Sequence, residues 1–442
     1  MRIVQFCKTA VAAVSALVVV GSLAACAPGA SNTSSATKTD AASKNLGSEK
    51  ITLTLWDGAG LKDFDNDLIK AFEKKYPNIT VKATYDPDNT SQQNGPRVIS
   101  AVDSPDVARI TDINSAVRGK HVINLEQYAK LYGWNIPESQ TISYRVDSRG
   151  KIGSGDLYAV PDGVSMTGMF WNKALAKKLG IKKAPKSIAE LEADLKLAKD
   201  VRVTPIVMPA KEGGTSYIYQ ALWTNNSGKD KVNNWIFQKD GATINEDGAK
   251  RAAQTIQKWQ KAGYFSSDAI ALDGTTALGR FSKGEGLFFP SGSWYSASIN
   301  KALGNDAGFF AYPGNTANQS GSAASNAVTP FGIPTNAKHK NAAAAFINFL
   351  LSDKARQLSI DHGYPAIGKG GNLKSDNQLL SQVLTAQAEL VKKNNTTDFM
   401  NNATAAMQAS GIIPCFQTLL DGSMTPVQFV QALQKQYDSE VK

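Results

Sequence analysis

Histidine is nearly missing from this chain of 442 residues, where His121, His339 and His362 are the only three. They stand too far apart for the ligand spacing of a zinc enzyme. No Gly-x-Ser-x-Gly elbow and no Walker loop occurs, so the sequence carries neither a serine-hydrolase nor a nucleotide-binding signature. Cysteine is as scarce, with only Cys7, Cys26 and Cys415. Beyond the N-terminus there is no long apolar run, so nothing downstream is expected to span a membrane. Acidic residues are outnumbered 38 to 48, giving a formal net charge of +10. The lysines come in scattered pairs such as Lys74-Lys75 and Lys177-Lys178, not as a basic stripe interleaved with aromatics. That pattern reads as a solvated surface and excludes the usual footprint of a nucleic-acid module.

What is present starts at Met1. Arg2 and Lys8 supply a positive start, Ala10 to Val20 an apolar run, and Gly21-Ser22 a break before Leu23-Ala24-Ala25-Cys26. This is the layout of a secretory signal peptide over residues 1–25. A Cys directly after Leu-Ala-Ala resembles the bacterial lipobox, which implies that Cys26 is acylated and becomes the mature N-terminus. The alternative is an uncleaved anchor, but Thr9 to Ala25 is only just long enough to span, and Gly21 and Ser22 weaken it. With Cys7 removed and Cys26 lipidated, Cys415 has no disulfide partner. Its apolar neighbours Ile412, Ile413 and Phe416 argue for an inert buried thiol.

Residues 26–49 are the lipidated Cys and a tract of Ser, Thr, Ala and Asn that reads as a flexible tether. About 395 residues follow, more than the ~250–300 that one core serves, so two lobes are expected. Ile51-Thr52-Leu53-Thr54-Leu55 alternates as a strand, and Phe64, Leu68, Phe72 and Tyr76 follow at helical spacing until Pro77. Ile79 to Tyr85 alternates again, which makes a βαβ unit and implies a parallel sheet. A short strand is expected at 104–110, a second α/β lobe from about 165, and a strand at 286–290. One helix is expected over 341–361. Capping boxes open helices at Ser187 (with Glu190) and Thr425 (with Gln428).

In order, LTLWDGAG at 53–60, LIKAFEKKYPNITVK at 68–82 and SPDVARITD at 104–112 are followed by GDLYAVPDGVSMTGMFWNKALAKKLGI at 155–181 and RFSKGEGLFFPSGSWY at 280–295. AAAAFINFLLSDKARQLSI at 342–360 and DGSMTPVQFVQAL at 421–433 complete the series. Together, behind the lipobox, they resemble the extracellular solute-binding proteins of carbohydrate ABC importers, family 1, the maltose-binding proteins among them. The resemblance covers residues 50–440. It implies an α/β fold of the periplasmic-binding-protein type, two lobes joined by hinge strands with the ligand cleft between. Lobe 1 would be 50–162 plus about 328–365, and lobe 2 about 163–327 plus 366–442. It further implies a monomeric receptor without cofactor, anchored by lipid at the outer face of the bacterial cell membrane. Such a receptor delivers a sugar to ABC permease subunits.

A sugar presents apolar C–H faces and a rim of hydroxyls, so its site needs flat aromatics and short polar side chains. In open α/β sheets ligands lie beyond the carboxyl ends of strands. Asp57, Asp112, Trp294 and Tyr295 stand there. Asp57 either contacts ligand or shapes a turn, and Asp112 either binds a hydroxyl or caps the next helix. Trp223, with Tyr217 and Tyr219, forms either a cleft wall or one packed helical face. Tyr364 reaches the ligand or packs the third crossing. Ser165 occupies a position where the maltose receptors have an acid. Arg109 admits a charged substrate, although an ion pair explains it as well. Two other functions remain open, a surface glycoside hydrolase and a non-transport glycan adhesin.

Overall fold

The computed structural model describes residues 41–368, 373, 375–404 and 406–441. The expected signal peptide and Cys26 lie outside the described residues. Among the described residues there are ten strands. The first three are β1 (Ile51–Gly58), β2 (Ile79–Asp86) and β3 (Val107–Arg109), and β4 (Arg145–Val146) with β5 (Asp156–Leu157) forms a small hairpin. They are followed by β6 (Val160–Asn172), β7 (Phe288–Gly292), β8 (Ala307–Phe310), β9 (Ala323–Gly332) and β10 (Thr396–Thr397).

β1 pairs in parallel with β2 along its whole length, from Ile51↔Ile79 to Gly58↔Asp86, and with β3 on its other side. The helix Lys62–Lys75 between them buries Phe64, Leu68, Ile69 and Phe72. It ends before Pro77, as the restriction on a residue preceding proline requires. This is the expected βαβ unit. The later half of β1 is buried on both faces, because a parallel sheet is covered by helices on each side.

Two long antiparallel strands then carry the architecture. β6 pairs with β9 from Val160↔Phe331 to Met166↔Ser325. Past that point β6 lies between β7 and β8 instead. β9 pairs with β3 at one end and β10 at the other. Each strand therefore begins in one sheet region and ends in another. A third segment joins them, where Val164 N–H donates to Pro365 O at 2.8 Å. One apolar core gathers Leu55, Phe72, Val107, Val160, Phe331 and Phe346. Another gathers Met169, Trp223, Trp235, Trp259, Phe416 and Phe429. Val164 and Ala327, at the middle of the β6–β9 pairing, belong to neither. The result is a two-lobed α/β fold.

Three expectations need correcting. The folded body starts before residue 50: Ala42 and Leu46 pack on the first core, and Ser43 N–H donates to Asn341 Oδ1 at 3.1 Å. The tether reading does not hold for residues 41–49. The helix expected over 341–361 is two, Lys340–Leu350 and Asp353–Asp361. Ser352 breaks it by capping the second, its Oγ accepting from Ala355 N–H at 3.3 Å. At Ser187 only half a capping box forms, because Glu190 Oε2 accepts from Lys186 N–H and not from its own N-cap. The box at Thr425 is complete. Cys415 is buried as expected, and burial pushes its thiol up to about 11.

Candidate functional site

A cavity of ≈ 320 Å³ opens where the crossing segments meet the two cores. Leu61, Phe64 and Arg109 approach it from the first core, Ser293 and Trp294 from the second. Asp162, Val164, Ser165, Thr329 and Tyr364 come from the crossing segments. A neighbouring recess of ≈ 270 Å³ is lined by Ser165, Tyr217, Asn326, Phe399, Asn401, Asn402 and Gln408. Ser165 lines both, so the two spaces adjoin.

Trp294 sits on a short 3₁₀ turn straight after β7 and is 38% exposed, whereas Trp223, Trp235 and Trp259 are fully buried. Its ring lies against Gly292, where an added Cβ would come within 2.0 Å of ring carbons. Glycine there is a requirement of close approach. Tyr217 meets Trp294 edge-on at 5.9 Å between ring centroids, and Phe399 lies 6.3 Å from both. Tyr295 stacks behind on Phe289 at 6.1 Å and lines neither cavity. An exposed aromatic beside amides and hydroxyls has the chemistry to stack on a sugar face and meet its hydroxyl rim.

Beneath the first cavity lies a buried charge cluster. The Arg109 guanidinium pairs with Asp57, whose Oδ1 also accepts from Gly58 N–H at 2.6 Å. Asp65 and Asp162 are close enough to perturb that pair. Burial, with Asp57 and Asp162 nearby, pushes Asp65 up to about 10. Burial and then Asp57 push Asp162 well above the usual carboxylate range, with Arg109 and the Thr329 hydroxyl pulling back. Asp65 therefore keeps its proton at neutral pH, and burial raises Asp57 as well, with the charge of Arg109 pulling it back. Asp57 meets Arg109 at Nε and offsets its charge beside the cavity.

The expected site residues thus separate. Ser165, Trp294 and Tyr364 are brought together at the first cavity. Asp57 is buried in the ion pair, because burial without a partner would cost several kcal/mol. Trp223 offers no face to the cleft; it is fully buried, and its indole N–H donates to Glu246 Oε1 at 2.7 Å. Asp112 caps the helix Ile113–Arg118, accepting from Ser115 N–H at 3.0 Å, and lines neither cavity. Tyr219 is buried while Tyr217 is at the recess, so the helix Thr215–Ser227 divides the two readings between its faces. The amides Asn326, Asn401, Asn402 and Gln408, with Phe399, have no counterpart in the sequence reading. A signal existed: residues 394–402 are nine positions of almost wholly polar chain around a single Phe.

Residues 58–357 match the family described as bacterial extracellular solute-binding protein. The diacetylchitobiose binding protein DasA of Streptomyces coelicolor is 26% identical over 318 residues, 69% of this chain and 70% of that protein. The multiple sugar-binding protein of Streptococcus mutans is 25% identical over 368 residues, 77% of this chain and 80% of that protein. In fold, the chain is similar to apo RafE from Streptococcus pneumoniae, with TM-score 0.74, 18% identity, and coverage of 90% of this chain and 99% of that one.

Proposed function

Since the chain belongs to the bacterial extracellular solute-binding proteins, we propose that it is an ABC-importer receptor for a neutral oligosaccharide, which it captures between its lobes and presents to a permease. The observation that carries this reading is Trp294, the one tryptophan left 38% exposed, at a hydroxyl-lined interlobe cavity that adjoins the amide-lined recess. The names of the relatives above point the same way. Pairing of Arg109 with Asp57 offsets the cation beside the cavity, which favours a neutral ligand over an anion.

The lobes are assigned as residues 41–162 with about 328–365, and about 163–327 with 366–441, and they close about the middle of β6, β9 and the Tyr364-Pro365 segment. Acylation of Cys26 would hold the monomer at the outer face of the cell membrane, with residues 27–40 as the spacer. The receptor needs no catalysis, since delivery leaves the sugar intact.

The test is retention. The protein purified without its leader is incubated with a mixture of neutral oligosaccharides, washed, and its bound fraction released by heat for mass spectrometry. Intact bound sugar is the expected outcome. Shortened sugars in the mixture would establish a hydrolase instead. No retained sugar from a broad mixture would remove the receptor reading.

A further inference from the structure

Asp398 does not line the recess, yet it touches much of what does. Its carboxylate is buried and accepts from the Ser143 hydroxyl, from Asn402 Nδ2 at 2.6 Å and from Phe399 N–H at 2.5 Å, and the polar Asn326 side chain stands close enough to draw its pKa down. Three donors occupy three of the four lone-pair directions that a carboxylate offers, which leaves the fourth for the amide of Asn326. Burial pushes its pKa up while these bonds pull it back. The backbone of Asp398 is fixed as well, with its N–H donating to Asn233 Oδ1 at 3.0 Å and its carbonyl accepting from Gln220 Nε2.

A carboxylate can only accept, so it dictates the direction of every bond that ends on it. Asn326 must turn its NH₂ toward Asp398 and its Oδ1 away. That oxygen accepts from Ser165 Oγ at 3.2 Å. The Ser165 proton is then spent on Asn326, and the hydroxyl faces both cavities with lone pairs alone. Asn402 is oriented likewise, its Oδ1 turned from Asp398 and accepting only a long 3.4 Å contact from Asn401 Nδ2.

We propose that Asp398 is a specificity-positioning residue: through Asn326 and Asn402 it sets the cleft wall at Ser165 as hydrogen-bond acceptors, so that the sugar is selected for a hydroxyl that donates there. This rests on the oligosaccharide-receptor reading and adds the polarity of one contact to it. An analogue lacking that donor leaves buried acceptors unpaired, which costs roughly 10- to 100-fold in affinity. Asp398→Asn keeps the shape but supplies its own NH₂. The Asn326 amide can then flip, Ser165 regains a free proton, and the wall accepts or donates alike.

The experiment uses calorimetry with the tightest binder among N,N′-diacetylchitobiose, raffinose and xylobiose, and with its monodeoxyfluoro analogues. Fluorine keeps the size of the hydroxyl and removes its proton. In the native protein at least one position should lose about 10- to 100-fold on fluorination. In Asp398→Asn that loss should shrink to about threefold or less, while the penalties at other positions stay unchanged. A merely structural role would weaken parent and analogues together and leave the ratio intact, and an intact ratio overturns the proposal. Should Asp398→Asn fail to fold, Asn326→Ala breaks the same chain at its middle and must lower the same ratio. Absence of binding by all three parent sugars would overturn the neutral-oligosaccharide reading and this inference with it, whereas binding with an unaltered ratio would overturn the inference alone.

Discussion

Two tryptophans separate binding from folding at the scale of single residues. Trp294→Ala should weaken sugar binding by about 2 kcal/mol or more, the range of an aromatic anchor, with little change in unfolding. Trp223→Ala removes a fully buried ring and an indole bond to Glu246, so it should cost ~3–5 kcal/mol of stability. Urea titrations beside calorimetry check both; a Trp294→Ala protein that unfolds early but binds normally would contradict the assignment. Asp65 makes a third residue-scale case. Its carboxyl is held at about 10 in the fold, far above the ~3.9 of an unfolded aspartate. The folded state thus keeps a proton that the unfolded state releases. Its contribution is complete below about pH 4 and is lost as pH rises toward the folded value. Asp65→Asn carries no proton to lose, so it should stabilise the protein at pH 8 by about 1–3 kcal/mol and less at pH 5. An equal effect at both pH values would show that Asp65 is ionised in the fold.

Among the elements, the crossing strand β9 stores strain where it passes the cavity. Thr329 has φ +51°, a left-handed conformation that a β-branched side chain rarely takes. Its side chain draws the pKa of Asp162 on the facing strand β6 down against the effect of burial, and the ladder runs on in register at Pro161↔Pro330 and Gly163↔Val328 on either side. A residue held this way costs about 1–3 kcal/mol. Asparagine accepts the same backbone geometry and keeps a polar group for Asp162, so Thr329→Asn should raise stability by about 1 kcal/mol. Chemical denaturation would show it, and a loss instead would mean that the threonine packing outweighs the strain. The segment 41–49 is a second such case. Mostly small and polar, it uses Ala42 and Leu46 to lie on the first core, while Asn78 Nδ2 donates to Gly47 O at 3.3 Å.

For the whole molecule, three narrow crossings between separate cores offer little resistance to bending, and open and closed forms should differ by only a few kcal/mol. A sugar that touches Trp294 from one lobe and the Leu61–Phe64 side from the other gains its full contacts only when the lobes approach. That differential affinity drives closure. Small-angle scattering should show a smaller radius of gyration on saturation with a tight-binding oligosaccharide, and Trp294→Ala should reduce the compaction at the same sugar concentration. An unchanged radius at saturation would count against closure. In cells, Cys26→Ala should leave the body folded and release it or leave it unprocessed; a mature-sized, membrane-bound mutant would contradict lipid anchoring.

The chain's own order of residues determined a good deal. Alternation at Ile51–Leu55 and Ile79–Tyr85 around a 3.6-residue period fixed the βαβ unit, because side-chain direction in strands and helices is a local geometric rule. Gly292 and Ser293 ahead of Trp294 marked an exposed aromatic for the same local reason. The fate of a charged or aromatic residue is not local. Asp57 stands at the end of a strand and Trp294 just after one, yet one ends beneath the cavity and the other beside it, since only packing brings Arg109, Asp65 and Asp162 around Asp57. Trp223 and Tyr217 share one helix, and which face turned inward depended on a core built from residues far along the chain, such as Phe416 and Phe429. The amide recess joins Asn326 to Asn402 across strands and turns far apart in sequence. Its polarity is set by a carboxylate that never reaches the cleft, a relation that exists only once the chain has folded.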